Sequence, residues 1–331
     1  MSATTSSAAS RHVGVFTSGG DSPGMNAAIR AVVRTAIHSG WQVSGIEGGY
    51  DGLVQGRFRP LGPRDVSNII QRGGTILRSA RSEDFRTKEG RAKAAANLVG
   101  QGIDALVAIG GDGTFAGARV LHEEHGTHVV GLPGTIDNDL AGTDHTIGFD
   151  TAVNTAVEAI DKIRDTASSH DRLFFVEVMG RDTGHIAMAS ALAAGAEYAM
   201  VPEQLQGIDE LVHTLESAAS SKSSSIVVVA EGDEEGGAFD IARKVKQRTT
   251  HFDIRVSVLG HLQRGGSPTV NDRILASRLG VAAVEHLAAG GHGTMAGLVC
   301  GQVVFTSFAE AIGGKKPFDP DLYRVLHILA T

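Results

Sequence analysis

The chain of 331 residues holds one cysteine, Cys300. A single thiol builds no intramolecular disulfide and no multi-cysteine metal site, which excludes a disulfide-stapled scaffold and a zinc ribbon. A reducing compartment, the cytoplasm, is the expectation. An excess of positive charge is also missing. The net charge is −7, which argues against a nucleic-acid binder, because phosphate contacts need a basic face. No apolar run is long enough to span a membrane. Residues 1–11 lack the apolar core of a signal peptide and read as a disordered tail. The 14 histidines form no HExxH pattern, and the chain carries no GxxxxGK[ST] motif, so it is not an ordinary P-loop protein.

Hydrophobic residues make up 42% of the chain, enough for a sizeable core in one large domain or two. Aromatics are scarce, but glycine is abundant, at 43 residues without a collagen-like period. That much glycine implies many tight turns and close backbone approaches. Short apolar runs at 12–17, 104–110, 127–133, 172–180, 224–232, 253–261 and 294–301 read as buried strands, the last of them as the final strand. Helical spacing follows most of them, at 25–38, 115–125, 150–166, 182–195, 237–249 and 270–289. Strand, glycine turn and helix in repetition predict a doubly wound α/β protein.

The turns after these strands read SGGD, GGDGT, GTIDND, MGRD and QRGG. In open α/β sheets ligands sit beyond the carboxyl ends of the strands, where these turns lie. Glycine lets backbone N–H groups approach phosphate oxygens, and aspartate can hold Mg²⁺. Asp137 and Asp139 stand two apart directly after a buried strand, an unusual place for two acids. Phosphoryl transfer needs a metal, a base for the incoming hydroxyl and cations for the developing charge. Asp112 is the magnesium candidate and Asp137 the base candidate. Arg81, Arg172, Arg181, Arg255 and Arg264, at strand or loop ends, are the candidate cations. A strand-ending turn with a capping aspartate is the plainer reading of GGDGT, and a helix-capping acid that of Glu231.

The chain resembles the ATP-dependent 6-phosphofructokinases. The resemblance rests on TSGGDSPGMNAAIR (17–30), RGGTILRSARSEDFR (72–86), IGGDGT (109–114), GLPGTIDNDLAGTDHTIGFDTA (131–152), SSHDR (168–172), VEVMGR (176–181), AEG (230–232) and GHLQRGGSPTVNDRILASRLG (260–280). It weakens over the last fifty residues. It implies two similar three-layer α/β lobes with the active site in a cleft between them. Residues 12–148 plus 263–331 would form the ATP-binding lobe, and 149–262 the fructose 6-phosphate lobe. It further implies that Gly20, Arg81, Ser82, Gly111, Asp112, Gly113 and Thr114 serve the nucleotide, with Asp112 on Mg²⁺. Arg81 would reach the transferring phosphoryl group and Thr135 that group or the sugar. Asp137 would be the base for the sugar 1-hydroxyl, supported by Asp139. Met179, Gly180, Arg181, Glu231, His261 and Arg264 would hold fructose 6-phosphate. Arg172 and Arg255 would reach this pocket from a neighbouring subunit, which implies a homotetramer built from dimers.

By the same resemblance, enzymes of this kind that use pyrophosphate tend to carry an acid at the position of Gly113 and a lysine at that of Gly134. Both are glycine here, so ATP is the expected donor, with pyrophosphate the alternative. An effector pocket would draw on Arg30, Arg34, Arg57, Arg164, Glu197 and Lys222; ordinary surface arginines are the competing reading. Two other functions compete: a kinase of NAD or lipid type, disfavoured by TIDND and GHLQRGG, and a non-catalytic regulatory subunit, which should have lost Asp112, Asp137 or Arg181.

Overall fold

A computed structural model describes residues 11–167, 172–204, 207–219, 224–314 and 316–330. Its strands are β1 (His12–Thr17), β2 (Gln42–Ile46), β3 (Phe58–Pro60), β4 (Ala105–Gly110), β5 (His128–Pro133), β6 (Arg172–Val178), β7 (Tyr198–Met200), β8 (Ser224–Ala230), β9 (Asp253–Val258), β10 (Thr294–Val299) and β11 (Gln302–Ser307). They form two sheets, ordered β11-β10-β5-β4-β1-β2-β3 and β7-β8-β6-β9. The chain correspondingly divides into two compact units. The first takes the described residues as far as Thr135, with Leu140–Ile147 and Pro268–Gly314. The second takes Ile136–Asp139, Gly148–Ser267 and the described residues beyond Gly314.

In the first unit β1, β2, β4, β5 and β10 run parallel, and the two edge strands β3 and β11 run antiparallel. Both faces are covered. Val13, Val15, Val107 and Ile109 pack with the helices Met25–His38 and Val270–Ala288, whereas Phe16, Leu106 and Ala108 pack with Phe115 and Leu121 on the opposite side. A parallel strand buried on both faces loses the apolar–polar alternation and reads as a continuous apolar run.

The second sheet is parallel throughout. Phe174, Val176, Ile226 and Val228 face one core, and Leu173, Phe175, Val227 and Val229 the other. No helix among the described residues is long and apolar enough to cross a membrane.

Three expectations are corrected. The strand at 294–301 is not the last: β10 stops at Val299, and β11 returns along it. Cys300 and Gly301 make the two-residue turn with φ of 48° and 78°. Two positive φ values are what a hairpin turn matched to strand twist requires, and a cysteine in the first of them hides the signal. The helix expected from Phe115 starts three residues earlier, at Asp112, because the Gly111 carbonyl already accepts from the N–H groups of Thr114 and Phe115. Finally, the described residues after Gly314 cluster with the second unit, whereas 263–331 as a whole is expected in the first. Tyr323 and Leu326 of the helix Pro320–Leu329 are buried in one core with Ile186, Met188 and Ala191.

Candidate active site

In the first unit the turn after β4 is built almost wholly from backbone. Asp112, Gly113 and Thr114 are the first residues of the helix Asp112–His125, whose N-terminus has no side-chain cap. Such an end presents N–H groups and a positive dipole end, the usual seat of a phosphate. The Tyr50 hydroxyl donates to the Thr114 carbonyl. The Thr114 Oγ1 is buried, with no hydrogen-bond partner among the described residues. Such an orphan costs about 1–3 kcal/mol unless a ligand or water meets it.

A Cβ added at Gly113 would meet nothing within 4 Å. One at Gly134 would lie 2.9 Å from Ile109, 3.2 Å from Met25 and 3.3 Å from the Gly110 nitrogen. The two positions expected to select the donor are therefore opposite in kind. Gly113 opens onto empty space, and Gly134 is enclosed by the protein.

Thr135 lies beside Gly111, its Cβ 3.6 Å from where a Cβ on that glycine would be. Gly20 is in the turn after β1; the exposed Arg81 precedes Ser82, whose Oγ accepts from the Phe85 N–H at 3.3 Å. Asp112 is the one expected metal ligand. Mg²⁺ is commonly held by one or two carboxylates together with substrate phosphates and water, so a single carboxylate at an uncapped helix start fits a metal that arrives on a nucleotide.

In the second unit the expected sugar-phosphate residues gather at the carboxyl ends of β6, β8 and β9. Met179, Gly180 and Arg181 follow β6, Glu231 follows β8, and His261 and Arg264 lie on the short 3₁₀ turn Gly260–Arg264 after β9. One oxygen of Glu231 accepts from the N–H groups of Gly180, at 3.3 Å, and Arg181, at 2.8 Å. Its carboxylate thus caps a loop rather than a helix. Arg181 stands in the left-handed region at φ 57°. Gly232 is required beside it, since a Cβ there would come 2.0 Å from the Arg181 carbonyl.

Asp137 joins this group through Thr183, whose Oγ1 lies 3.1 Å from the Asp137 carbonyl and 3.0 Å from that of Gly180. Burial pushes the Asp137 carboxyl up to about 6. Asp139 and Glu231 push the same way, while Arg264 and Arg181 pull it back. A carboxyl held there is ionised near neutral pH yet far more basic than an ordinary aspartate.

Arg172 and Arg255 are not brought to this group. Arg172 is the first residue of β6 and Arg255 the third of β9, and both approach one carboxylate, Asp253, at 3.4 Å and 2.9 Å. β6 spans Arg172–Val178, so Arg172 stands about 20 Å of strand away from Met179.

The expected effector residues are divided as well. Arg30, Arg34 and Arg57 belong to the first unit, where Arg57 pairs with Asp51 at 2.5 Å. Arg164 donates to the carbonyls of Ala194 and Gly195 in the second unit, and the buried Glu197 accepts from the Ile226 N–H at 2.6 Å. Both have structural work in their own unit. Lys222 lies outside the described residues.

Sequence reasoning passed over Gln263 and Thr183. Gln263 is fully buried, its Oε1 accepting from the Met179 N–H at 2.8 Å and its amide donating to the Ala152 carbonyl at 3.4 Å. It sits between His261 and Arg264, and a glutamine with no exposure needs such partners.

The phosphofructokinase family profile matches residues 12–287. A relative from Thermus thermophilus, "ATP-dependent 6-phosphofructokinase 1", is 60% identical over 97% of this chain and 99% of its own length. "ATP-dependent 6-phosphofructokinase 2" of Bacteroides thetaiotaomicron is 54% identical over 96% and 98%. Among solved structures, the Saccharomyces cerevisiae phosphofructokinase superposes with a TM-score of 0.87 at 36% identity, over 97% of this chain and 48% of that one. The pyrophosphate-dependent enzyme of Marinobacter aquaeolei shares the fold, with a TM-score of 0.83 at 23% identity over 97% and 91%. With its profile match across both sheets, and relatives aligned nearly end to end, the chain belongs to the phosphofructokinase family.

Proposed function

We propose that the chain is an ATP-dependent 6-phosphofructokinase, transferring the terminal phosphoryl group of ATP to the 1-hydroxyl of fructose 6-phosphate. The observation that carries this reading is the gathering of Arg181, Glu231 and Arg264 at the carboxyl ends of β6, β8 and β9, with Asp137 joined to them through Thr183 and its carboxyl pushed up to about 6 by burial. A sugar hydroxyl is a poor nucleophile, and a positioned carboxylate that takes its proton contributes about 10²–10⁴-fold. Asp137 is that base. Arg181 faces the charge that develops on the transferring group, where a fixed cation stabilises the transition state more than the ground state. Arg264 holds the 6-phosphate, remote from the reacting hydroxyl, so its binding energy orients that hydroxyl for attack. Met179, Gly180, Glu231 and His261 complete the sugar contacts, and Thr135 and Arg81 meet the transferring group.

The nucleotide belongs to the first unit. Gly20, Ser82, Gly111, Gly113 and Thr114 line it, and Asp112 would hold its Mg²⁺, which supplies charge neutralisation to the phosphates. The space beside Gly113 supports a nucleotide there. A lysine at Gly134, of the kind that would serve pyrophosphate, would have to displace Ile109 and Met25 from the positions they hold here. Arg172, at the far end of β6, and Arg255, in the middle of β9, serve the sugar-phosphate site of a neighbouring subunit, so the working form is an oligomer, a homotetramer. Cytoplasmic residence fits the single exposed thiol.

The test is a donor swap. Purified protein receives fructose 6-phosphate and Mg²⁺ with ATP or with pyrophosphate, and fructose 1,6-bisphosphate is followed. Product with ATP alone is expected. Product with pyrophosphate would show that the two glycines do not choose the donor. Sugar-phosphate binding without turnover on either would make the chain a regulatory subunit.

A further inference from the structure

Asn138, between the two aspartates of the base segment, is buried and holds the left-handed conformation at φ 55°. That conformation is tolerated by asparagine better than by most residues, but it still has to be held. Lys316 supplies a hold from outside the profile match, which ends at residue 287. Its Nζ donates to Asn138 Oδ1 at 2.7 Å. The stretch around it is itself anchored. Phe318 packs against the ring of His185, centroids 6.3 Å apart. Burial and the Lys316 charge hold that histidine down at about 4, so it stays neutral near pH 7 and adds no second positive charge beside Lys316. On the other side, Thr183 bonds the Asp137 carbonyl. The base segment is thus gripped at two adjacent residues, by Thr183 at one and by Lys316 at the next. A rotation of the Asn138 backbone would swing the carboxylates on both sides of it.

We propose that Lys316 is a positioning residue for phosphoryl transfer: through Asn138 it fixes the backbone of 137–139 so that the Asp137 carboxylate meets the acceptor hydroxyl. The proposal rests on the reading of Asp137 as the base. It gives the C-terminal segment a part in the reaction without contact with substrate.

Full-length Lys316→Met, Lys316→Arg, Asn138→Gly and the Met/Gly double variant are to be compared for kcat, for KM of both substrates and for Tm. Lys316→Met should lower kcat about 10-fold or more with KM for fructose 6-phosphate within about twofold, and Lys316→Arg should recover most of the loss. In the Asn138→Gly background the same lysine substitution should cost less than about twofold, because the contact is already gone. A Lys316→Met enzyme with kcat within about twofold of the parent, a change confined to KM, or an equal loss in both backgrounds would overturn the proposal. If Lys316→Met does not fold, Lys316→Gln takes its place under the same thresholds. Asp137→Asn separates the two readings. If it keeps kcat, the base assignment falls whatever Lys316 does. If it loses kcat while Lys316→Met does not, only the positioning role falls.

Discussion

The turn after β4 and the loop after β6 each follow a buried parallel strand, yet they are made differently. The first is glycine and helix start: its chemistry lies in N–H groups, one carboxylate and a buried hydroxyl. The second is charged, and its side chains are held by other side chains: Glu231 on the Gly180 and Arg181 N–H groups, Gln263 on that of Met179, Thr183 on the Asp137 carbonyl. A phosphate chain can be bound by backbone that the fold provides anyway. Activating one hydroxyl of a sugar requires a carboxylate in one orientation, and that takes a supporting shell. The two regions should therefore respond differently to substitution.

The largest effect is expected at the base. Asp137→Ser should keep the fold and much of the fructose 6-phosphate affinity while kcat falls by about 10²–10⁴. Steady-state kinetics with binding of the sugar phosphate measured separately would check this, and an unchanged kcat would remove Asp137 from the role. Next come the glycines, where the contrast between the regions is sharpest. Gly232→Ala drives a methyl against the Arg181 carbonyl, so the loop must move, and kcat/KM for fructose 6-phosphate should drop by about 10²-fold. Gly113→Ala meets no protein atom, so Tm should stay within about 2 °C while KM for ATP rises. A fall in Tm at Gly113 without any change in KM would reverse the comparison.

Much of the first region is legible in the sequence, because glycine after an apolar run announces a backbone site. The supporting shell of the second is not. Thr183 and Gln263 lie inside or beside quoted motifs, but their partners, Asp137 and Met179, are 46 and 84 residues away. No local pattern encodes such pairings; parallel strand order does. The β10–β11 hairpin is hidden for a different reason, a cysteine occupying a turn position where glycine or asparagine would have signalled it. The helix Pro320–Leu329 falls in the other unit from the one expected, because an amphipathic helix shows which face it buries, not against what. Arg172 and Arg255 rest on family likeness alone. The register of β6 and β9 adds that Arg172 sits at the opposite strand end from the site, that Arg255 sits mid-strand beside Phe174, and that the two share Asp253.

A smaller effect is expected at Gln263. Gln263→Leu removes the acceptor of the buried Met179 N–H. An unsatisfied buried donor costs about 1–3 kcal/mol, and with Met179 in its proposed place against the sugar phosphate, part of that loss should appear as KM for fructose 6-phosphate raised about 10-fold. An equal rise in KM for ATP would mean a general loosening instead.

The smallest effects are in pH dependence, and they test whether the charged shell sets the base. With the Asp137 carboxyl at about 6, kcat/KM should fall roughly tenfold per pH unit below that value. Asp139→Asn removes an acid that raises it, so the acid limb should move down by less than about one unit; Arg264, which lowers it, cannot be used in the same way because its proposed role is to hold the 6-phosphate. The same carboxyl has a stability signature of definite sign. It lies higher in the folded chain than its ordinary 3.8, so its neutral form is favoured by folding. The stabilisation is complete below pH 4 and is lost as pH rises to about 6, leaving the ionised form a burden at neutral pH. Asp137→Asn cannot ionise. Without substrates it should be more stable than the parent at pH 7, by about 3 kcal/mol, and match the parent near pH 4. A variant no more stable at pH 7 than at pH 4, relative to the parent, would mean that the base is solvated, and that its environment does not tune it.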